Sequence, residues 1–380
     1  MSLRGRPLLK STVCSTGDVH NSTGSDNQYR NQEGVVKVYS VDPIQDPRWA
    51  EFIDRHPSAS VFHSTAWLKA IQRTYGYSSV AYTTSSPLEP LSNGVVFCQV
   101  QSWLTGRRLV SLPFSDHCEP LLDTPEAAES IAQRLRSEFE AGKWKYLELR
   151  PIYQTWRPER MTDEASFYLH ELDLRPSEDE LFRNTHKSCI QAQIRRAQRT
   201  AMQYECGNSE ELRDAFYRLM VRTRRRHRLP PQPMSWFENL AAELGERLQI
   251  RLASTGGTQV ASILTLQHGT TVVYKYGCSD ERFNNLGATP FLFWKTIIEA
   301  KQAGMERIDF GRSDVENCGL IHFKSRWGTR CSQISYLRWS RNPGKQRVKR
   351  RSDGVLKDLF SIMPDVLLKA SGRILYRHIG

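Results

Sequence analysis

Two stretches of this 380-residue chain share one grammar at an offset of 162 residues. PEAAESIAQRLRSEFEAG followed by KYLELRP, and TPFLFWKTIIEAKQAG followed by ERIDFGRS, each read as an amphipathic helix, a glycine stop and a strand. Gly142 falls on Gly304, and Arg150 on Arg312. A period this long is no solenoid repeat and points to two copies of one α/β domain. Chance likeness between two common helix-to-strand units is the competing explanation.

The surrounding pattern fills in the copies. VVKVYSV reads as a first strand, PRWAEFIDRH as a short helix, and SVFHSTAWLKAIQRTYG as the beginning of a strand followed by a helix capped by Ser64 or Thr65. VAYTT, GVVFCQVQSW and RRLVSLPF read as strands, and Thr124 opens the helix that ends at Gly142. In the second half HKSCIQAQIRRAQRTA and SEELRDAFYRLMVRTRRRHR read as helices, the latter capped by Ser209. LQIRLAST, QVASILTLQHG and TTVVYKYGCS read as strands. Residues 1–34 are polar and expected to be disordered. Domains are expected at 35–175 and 176–340, with a basic linker and amphipathic helices at 341–380.

Charge is placed unevenly. Residues 182–228 hold twelve Lys/Arg against four Asp/Glu, and residues 341–380 hold ten against three. Such segments favour phosphate-bearing partners: a nucleotide donor, anionic headgroups or nucleic acid. A solvated helix face is an equal alternative. The aromatics mostly follow the core pattern and are not interleaved with the basic runs, which argues against a nucleic-acid binder. The eight cysteines form no CxxC pair, and Cys318, His322 and Cys331 lack a fourth ligand and a zinc spacing, so no metal is expected. Without a signal-peptide core or a membrane-length apolar run, the expectation is a cytoplasmic protein. A C-terminal tail pairing Leu367, Leu368, Ile374, Leu375 and Tyr376 with Lys369, Arg373 and Arg377 could lie on the inner membrane face or pack back on the protein.

The run Ile308–Gly328 is the densest in function-capable groups. It reads as a strand that breaks at Gly311 and presents Asp309, Arg312, Ser313, Asp314, Lys324 and Arg326 around a loop closed by Trp327 and Gly328. Asp309 could accept a proton or merely cap the strand end. Arg312 and Lys324 suit a phosphate or carboxylate, Ser313 can donate, and Trp327 can wall a pocket. Arg150 occupies the matching place in the first copy. Tyr274 and Tyr276, two apart on a strand, are expected on one face, with Tyr276 as a candidate acid and a core pair as the commoner arrangement. Phe114, Ser115, Asp116 and His117 place an Asp beside a His in a loop, and no GxSxG elbow accompanies them. The active cleft is therefore expected on the second copy, with this loop as its acceptor wall.

At these residues the chain resembles the FemAB-like branch of the GNAT acyltransferase superfamily. DFGRS followed by FKSRWG is similar to the C-terminal signature of the subgroup associated with exopolysaccharide and PEP-CTERM export. FHSTAW (62–67), LPFSDHCEPL (112–121), YLELRP (146–151), IRRAQR (194–199) and NNLGATPFLFW (284–294) fit in order. The resemblance implies an α/β fold of two tandem GNAT-like domains, with mixed, mostly antiparallel sheets flanked by helices. It implies acyl or aminoacyl transfer to an amine of an amino-sugar or lipid-linked envelope or exopolysaccharide precursor. Acyl-CoA or another activated donor would be the co-substrate, with no tightly bound cofactor. Asn284, Asn285, Gly287 and Ala288 stand where such enzymes hold the donor pyrophosphate, though Arg282-Phe-Asn-Asn-Leu-Gly287-Ala288 departs from the usual glycine spacing. No sustained heptad arm, which aminoacyl-tRNA-dependent relatives often carry, is present, and this counts against tRNA as the donor; aminoacyl-tRNA is nonetheless the one nucleic-acid partner left open. A catalytically inactive scaffold of an export system is the alternative function.

Overall fold

The computed structural model describes residues 36–341 and 358–379. The expected disordered tail (1–34) and most of the basic linker lie outside the described residues. Helix starts follow the local chemistry: Ser64, Thr124 and Ser209 each accept a first-turn N–H, from Trp67, Ala127 and Leu212 respectively. The segment SVFH is a single 3₁₀ turn, Val61–His63, and not the expected strand. The His63 ring accepts from the Ser60 N–H and turns the chain immediately into the next helix.

The first half contains β1 (Tyr39–Val41), α1 (Pro47–Arg55), α2 (Thr65–Tyr75), β2 (Ser78–Thr83), β3 (Val95–Ser102), β4 (Gly106–Val110), α3 (Pro125–Ala141), β5 (Tyr146–Leu149) and β6 (Thr162–Asp173). The second contains α4 (Glu178–Asn184), α5 (Ala192–Arg199), β7 (Gln203–Gly207), α6 (Glu210–Arg226), α7 (Met234–Leu244), β8 (Leu248–Thr255), β9 (Thr258–His268), β10 (Thr271–Ser279), α8 (Ala288–Gln302), β11 (Arg307–Asp314), α9 (Cys318–Ser325) and β12 (Arg330–Ser340). The chain ends in α10 (Asp365–Ile379).

The twelve strands of the described residues form one mixed sheet in the order β1-β2-β3-β4-β5-β12-β6-β11-β10-β9-β8-β7. Replacing each of β1–β6 by its counterpart in β7–β12 reverses this order onto itself. Only β4 with β5, and β10 with β11, run parallel. The last strand of each half is exchanged: β12 pairs with β5, and β6 pairs with β11. The strand β6, which precedes the expected boundary at 175/176, thus lies between β12 and β11 of the other half.

Alternation along the strands fills both faces of the sheet. Val96, Cys98 and Val100 join a core with α2, α6 and α7, in which Trp67 and Trp236 meet edge to face at 5.2 Å. Val95 and Phe97 face the opposite way, toward α3. A separate core under α5 and α8 is built from Ile263, Val272, Ile308 and Phe310.

The C-terminal helix α10 is anchored. Its last carbonyls accept hydrogen bonds from Arg108 Nη2 (2.8 Å) and Thr105 Oγ1 (2.8 Å) at His378 O, and from Tyr77 Oη (3.0 Å) at Arg377 O. Gly372 lets α10 settle on the 230–231 segment, because a Cβ there would overlap the Pro231 carbonyl oxygen. Gly372→Ala is therefore expected to release α10 while leaving the sheet intact. Amide exchange in residues 365–379 should rise to that of a frayed terminus; unchanged protection would show the contact to be dispensable.

Candidate active site at the parting of β10 and β11

The parallel pairing of β10 and β11 runs only from Thr271↔Arg307 to Val273↔Asp309. Beyond it each strand carries a bulge, at Lys275 in β10 and between Asp309 and Arg312 in β11. Gly311, at φ 71°, absorbs the second bulge, so β11 continues to Asp314. The expected loop after Gly311 is thus a longer strand followed by a helix: Asn317 caps α9 through the Leu320 N–H, and Lys324 lies on that helix.

The bulges re-aim side chains. Lys275 reaches Asp116 at 2.8 Å, and Arg312 lies 3.9 Å from the other Asp116 oxygen. The Arg312 guanidinium covers the Phe167 ring at 3.9 Å. Lys324 Nζ donates to the carbonyls of Gly311 (2.7 Å) and Arg312 (3.0 Å). The Leu112–His117 segment enters from the first half. Arg150 holds its backbone, donating to Leu112 O (2.6 Å) and Ser115 O (3.1 Å), and Tyr336 Oη donates to Asp116 O (2.8 Å).

His117 Nε2 meets Asp309 Oδ2 at 2.9 Å, a pairing of residues 192 positions apart. Asp309 Oδ1 already accepts the Gly311 N–H at 2.6 Å. With both Asp309 oxygens accepting, the facing His117 Nε2 is the donor. Nδ1 is buried and has no partner among the described residues. Both residues are under 5% exposed and line a small cleft with Ser58, Tyr153, Glu171, His268 and Arg307.

Electrostatics follow from burial. Desolvation alone would push the Asp116 carboxyl up, but the charges of Lys275, Arg312 and Lys324 outweigh it and hold the group below its ordinary value. Burial lowers Lys275 despite Asp116. It also lowers Lys324, to about 8, with Lys275 and Arg312 adding to the fall and Asp116 and Asp309 opposing it. Asp116 and Asp309 thus lie among Lys275, Arg312 and Lys324, and Arg312 also reaches the exposed Asp314 at 3.7 Å.

The structure brings together Asp116, His117, Asp309, Arg312 and Lys324 of the expected residues, with Arg150 behind the loop. The others lie elsewhere. The Lys275 bulge puts Tyr274 and Tyr276 on opposite faces of the sheet, contrary to the period-two expectation. Tyr274 packs with Phe293, whereas Tyr276 Oη accepts from Trp236 Nε1 and Gln232 Nε2, both at 2.9 Å. Trp327 is wedged among Phe293, Phe310 and Phe323 in the core, and Ser313 is buried with its hydroxyl unpartnered among the described residues. Phe114 packs on Tyr75 and Trp236, and the Ser115 hydroxyl donates to Leu112 O.

Asn284 and Asn285 sit in a 3₁₀ turn before α8, with Arg196 of α5 donating to Asn285 O at 2.9 Å. A Cβ on Gly287 would overlap the Gln193 backbone, so α5 presses directly on the start of α8 beside Ala288. Lys275, absent from the sequence reading, would have been visible only as a lone cation inside an otherwise apolar strand.

Residues 184–325 match the family of acetyltransferase (GNAT) domains. The solved structure of FemX superposes with a TM-score of 0.64 at 15% identity, covering 79% of this chain and 97% of FemX. L-PGS from Bacillus licheniformis gives 0.51 at 12% identity, over 84% of this chain and 96% of that one. A tandem GNAT protein from the clavulanic acid biosynthesis pathway gives 0.51 at 10% identity, over 81% and 100%. No curated protein matches the sequence. The chain has a FemX-like GNAT fold, and among the described residues no helix is long and apolar enough to cross a membrane.

Proposed function

We propose that the chain transfers an acyl or aminoacyl group from an activated donor to an amine on a cell-envelope or exopolysaccharide precursor. The pairing of His117 with Asp309, at the end of the parallel β10–β11 ladder and in a cleft that Thr271, Val273 and Arg307 also line, carries this reading. The FemX-like fold and the ordered FemAB-like motifs motivate the envelope acceptor. A lipid-linked acceptor would bring the reaction to a membrane surface.

In this reading the acceptor nitrogen attacks the acyl carbonyl carbon. Its proton passes to His117 Nδ1, the C–N bond forms, and the carbonyl carbon separates from the thiolate or alkoxide leaving group, which takes the proton back. Asp309 fixes the tautomer and stabilises the imidazolium. Lys275, Arg312 and Lys324 supply positive potential for the tetrahedral oxyanion or an anionic group on the substrate. Packing of α5 on the start of α8 favours a donor held chiefly along the parted strands, not through phosphates at Asn284–Ala288.

The test incubates the full chain with labelled acyl-CoA, acyl-carrier and aminoacyl-tRNA donors plus amino-sugar acceptors. Transfer from at least one donor is the expected result. An absence of both turnover and donor binding would overturn the proposal.

A further inference from the structure

We infer that α10, the helical turn before it and the tip of the β3–β4 hairpin form a docking surface for an anionic lipid bilayer. Thirteen large apolar side chains are exposed among the described residues, and eight of them cluster in these three pieces. Trp103, at the hairpin tip, is 86% exposed, and Leu104 beside it is also exposed. Ile362, Val366, Leu367 and Ile374 are exposed on the helical segments. A tryptophan presented to solvent with aliphatic neighbours is costly in water and suits the headgroup boundary of a bilayer.

Helix α10 carries two different faces. Leu368, Gly372 and His378 are buried against the protein. At 100° per residue, Val366, Arg373, Arg377 and Ile374 fall within one outward arc. Lys369 borders that arc and lines an open groove with Arg373 and Arg377, whose opposite rim includes Asp214. The two acids of the helical segments are neutralised from α6 and the turn after it, Asp358 by Arg228 and Asp365 by Arg225. The outward face is therefore basic and apolar at once.

Its orientation is fixed. Arg108, Thr105 and Tyr77 hold the C-terminal carbonyls of α10, and Trp103 stands edge-on to His378 at 5.6 Å. These contacts set the hairpin tip beside the helix end.

Charge decides the occupant. Residues 342–357, outside the described part, hold six Lys/Arg against one Asp, so repulsion opposes their covering a basic face. A second copy would meet the same positive face. Nucleic acid would satisfy the cations but leave the aliphatic side chains in water. An anionic bilayer satisfies both. None of these residues lines the His117–Asp309 cleft, and the test needs no turnover.

The test is co-sedimentation of the full chain with vesicles of phosphatidylcholine alone or containing phosphatidylglycerol, alongside sedimentation of the free protein. Retention on the anionic vesicles, with a blue-shifted Trp103 emission isolated by difference against Trp103→Phe, is the expected result. Arg373→Glu with Arg377→Glu should weaken retention about 10- to 100-fold, and Leu367→Ser with Ile374→Ser should abolish the blue shift. All four positions lie on the outward side of α10, so circular dichroism should match the parent. Equal retention on both vesicle types, or indifference to both double variants, overturns the inference. Dimerisation or salt-sensitive DNA binding without vesicle retention overturns it in favour of those partners.

Discussion

Replacing Asp309 by asparagine is expected to lower kcat by about 10²- to 10⁴-fold, with KM little changed and the fold intact. The substituted side chain can still accept the Gly311 N–H through its carbonyl oxygen, the bond that Asp309 Oδ1 makes at 2.6 Å. Its amide NH₂, however, would donate to His117 Nε2 and drive the ring proton to Nδ1. The nitrogen proposed to take the acceptor's proton would then be the protonated one. His117→Ala should fall by a similar factor, and the double variant by little more, because the two act as one unit.

Tyr276→Phe is the contrast. Its hydroxyl is spent on Trp236 and Gln232 inside the core, and burial pushes it well above the ordinary tyrosine range. Its loss should cost about 1 kcal/mol of stability and leave kcat within a few-fold. Steady-state kinetics on the three variants decides the assignment: full activity in Asp309→Asn would remove the dyad, and collapse in Tyr276→Phe would return the tyrosine to the chemistry.

What the sequence disclosed and what it hid divide by range. The caps at Ser64, Thr124 and Ser209 were legible because each hydroxyl serves an N–H three residues on. The residue types of the cleft were also legible, as charged groups interleaved with glycine and aromatics. Their pairing was not, since His117 meets Asp309 across 192 positions. Period-two reasoning failed at Tyr274 and Tyr276 for a local reason that leaves no compositional trace: Lys275 is bulged, so the count of residues no longer equals the count of pleats. Gly311 misled in the opposite direction. A glycine in a strand reads as a break, yet here its left-handed backbone lets β11 bulge and continue. The strand β6 went unread, and with it the exchange that seats β12 between β5 and β6, because strand exchange is decided by partners far along the chain.

The exchange makes a second prediction about stability. Glu148 on β5 is 4% exposed and lies between Arg150, at 2.9 Å, and Arg338 of β12. Burial pushes its carboxyl up, but the two guanidinium charges outweigh that and hold it below its ordinary 4.5. Glu148→Gln keeps the shape and removes the charge, leaving Arg150 without its carboxylate and Arg338 with only Glu164. The expected loss is about 3–5 kcal/mol in chemical denaturation. The pH dependence gives the sign. A carboxyl with a lowered folded pKa contributes its stability in full above the unfolded value, 4.5, and loses it as pH falls through the folded value. The parent should therefore lose stability below about pH 4.5, and Glu148→Gln should show a shallower acid limb, with the difference between the two largest near neutrality. Parallel acid limbs would place the acid sensitivity in other carboxylates, Asp116 among them. An undiminished midpoint would mean that the backbone ladder between β5 and β12 holds the two halves together without the charges.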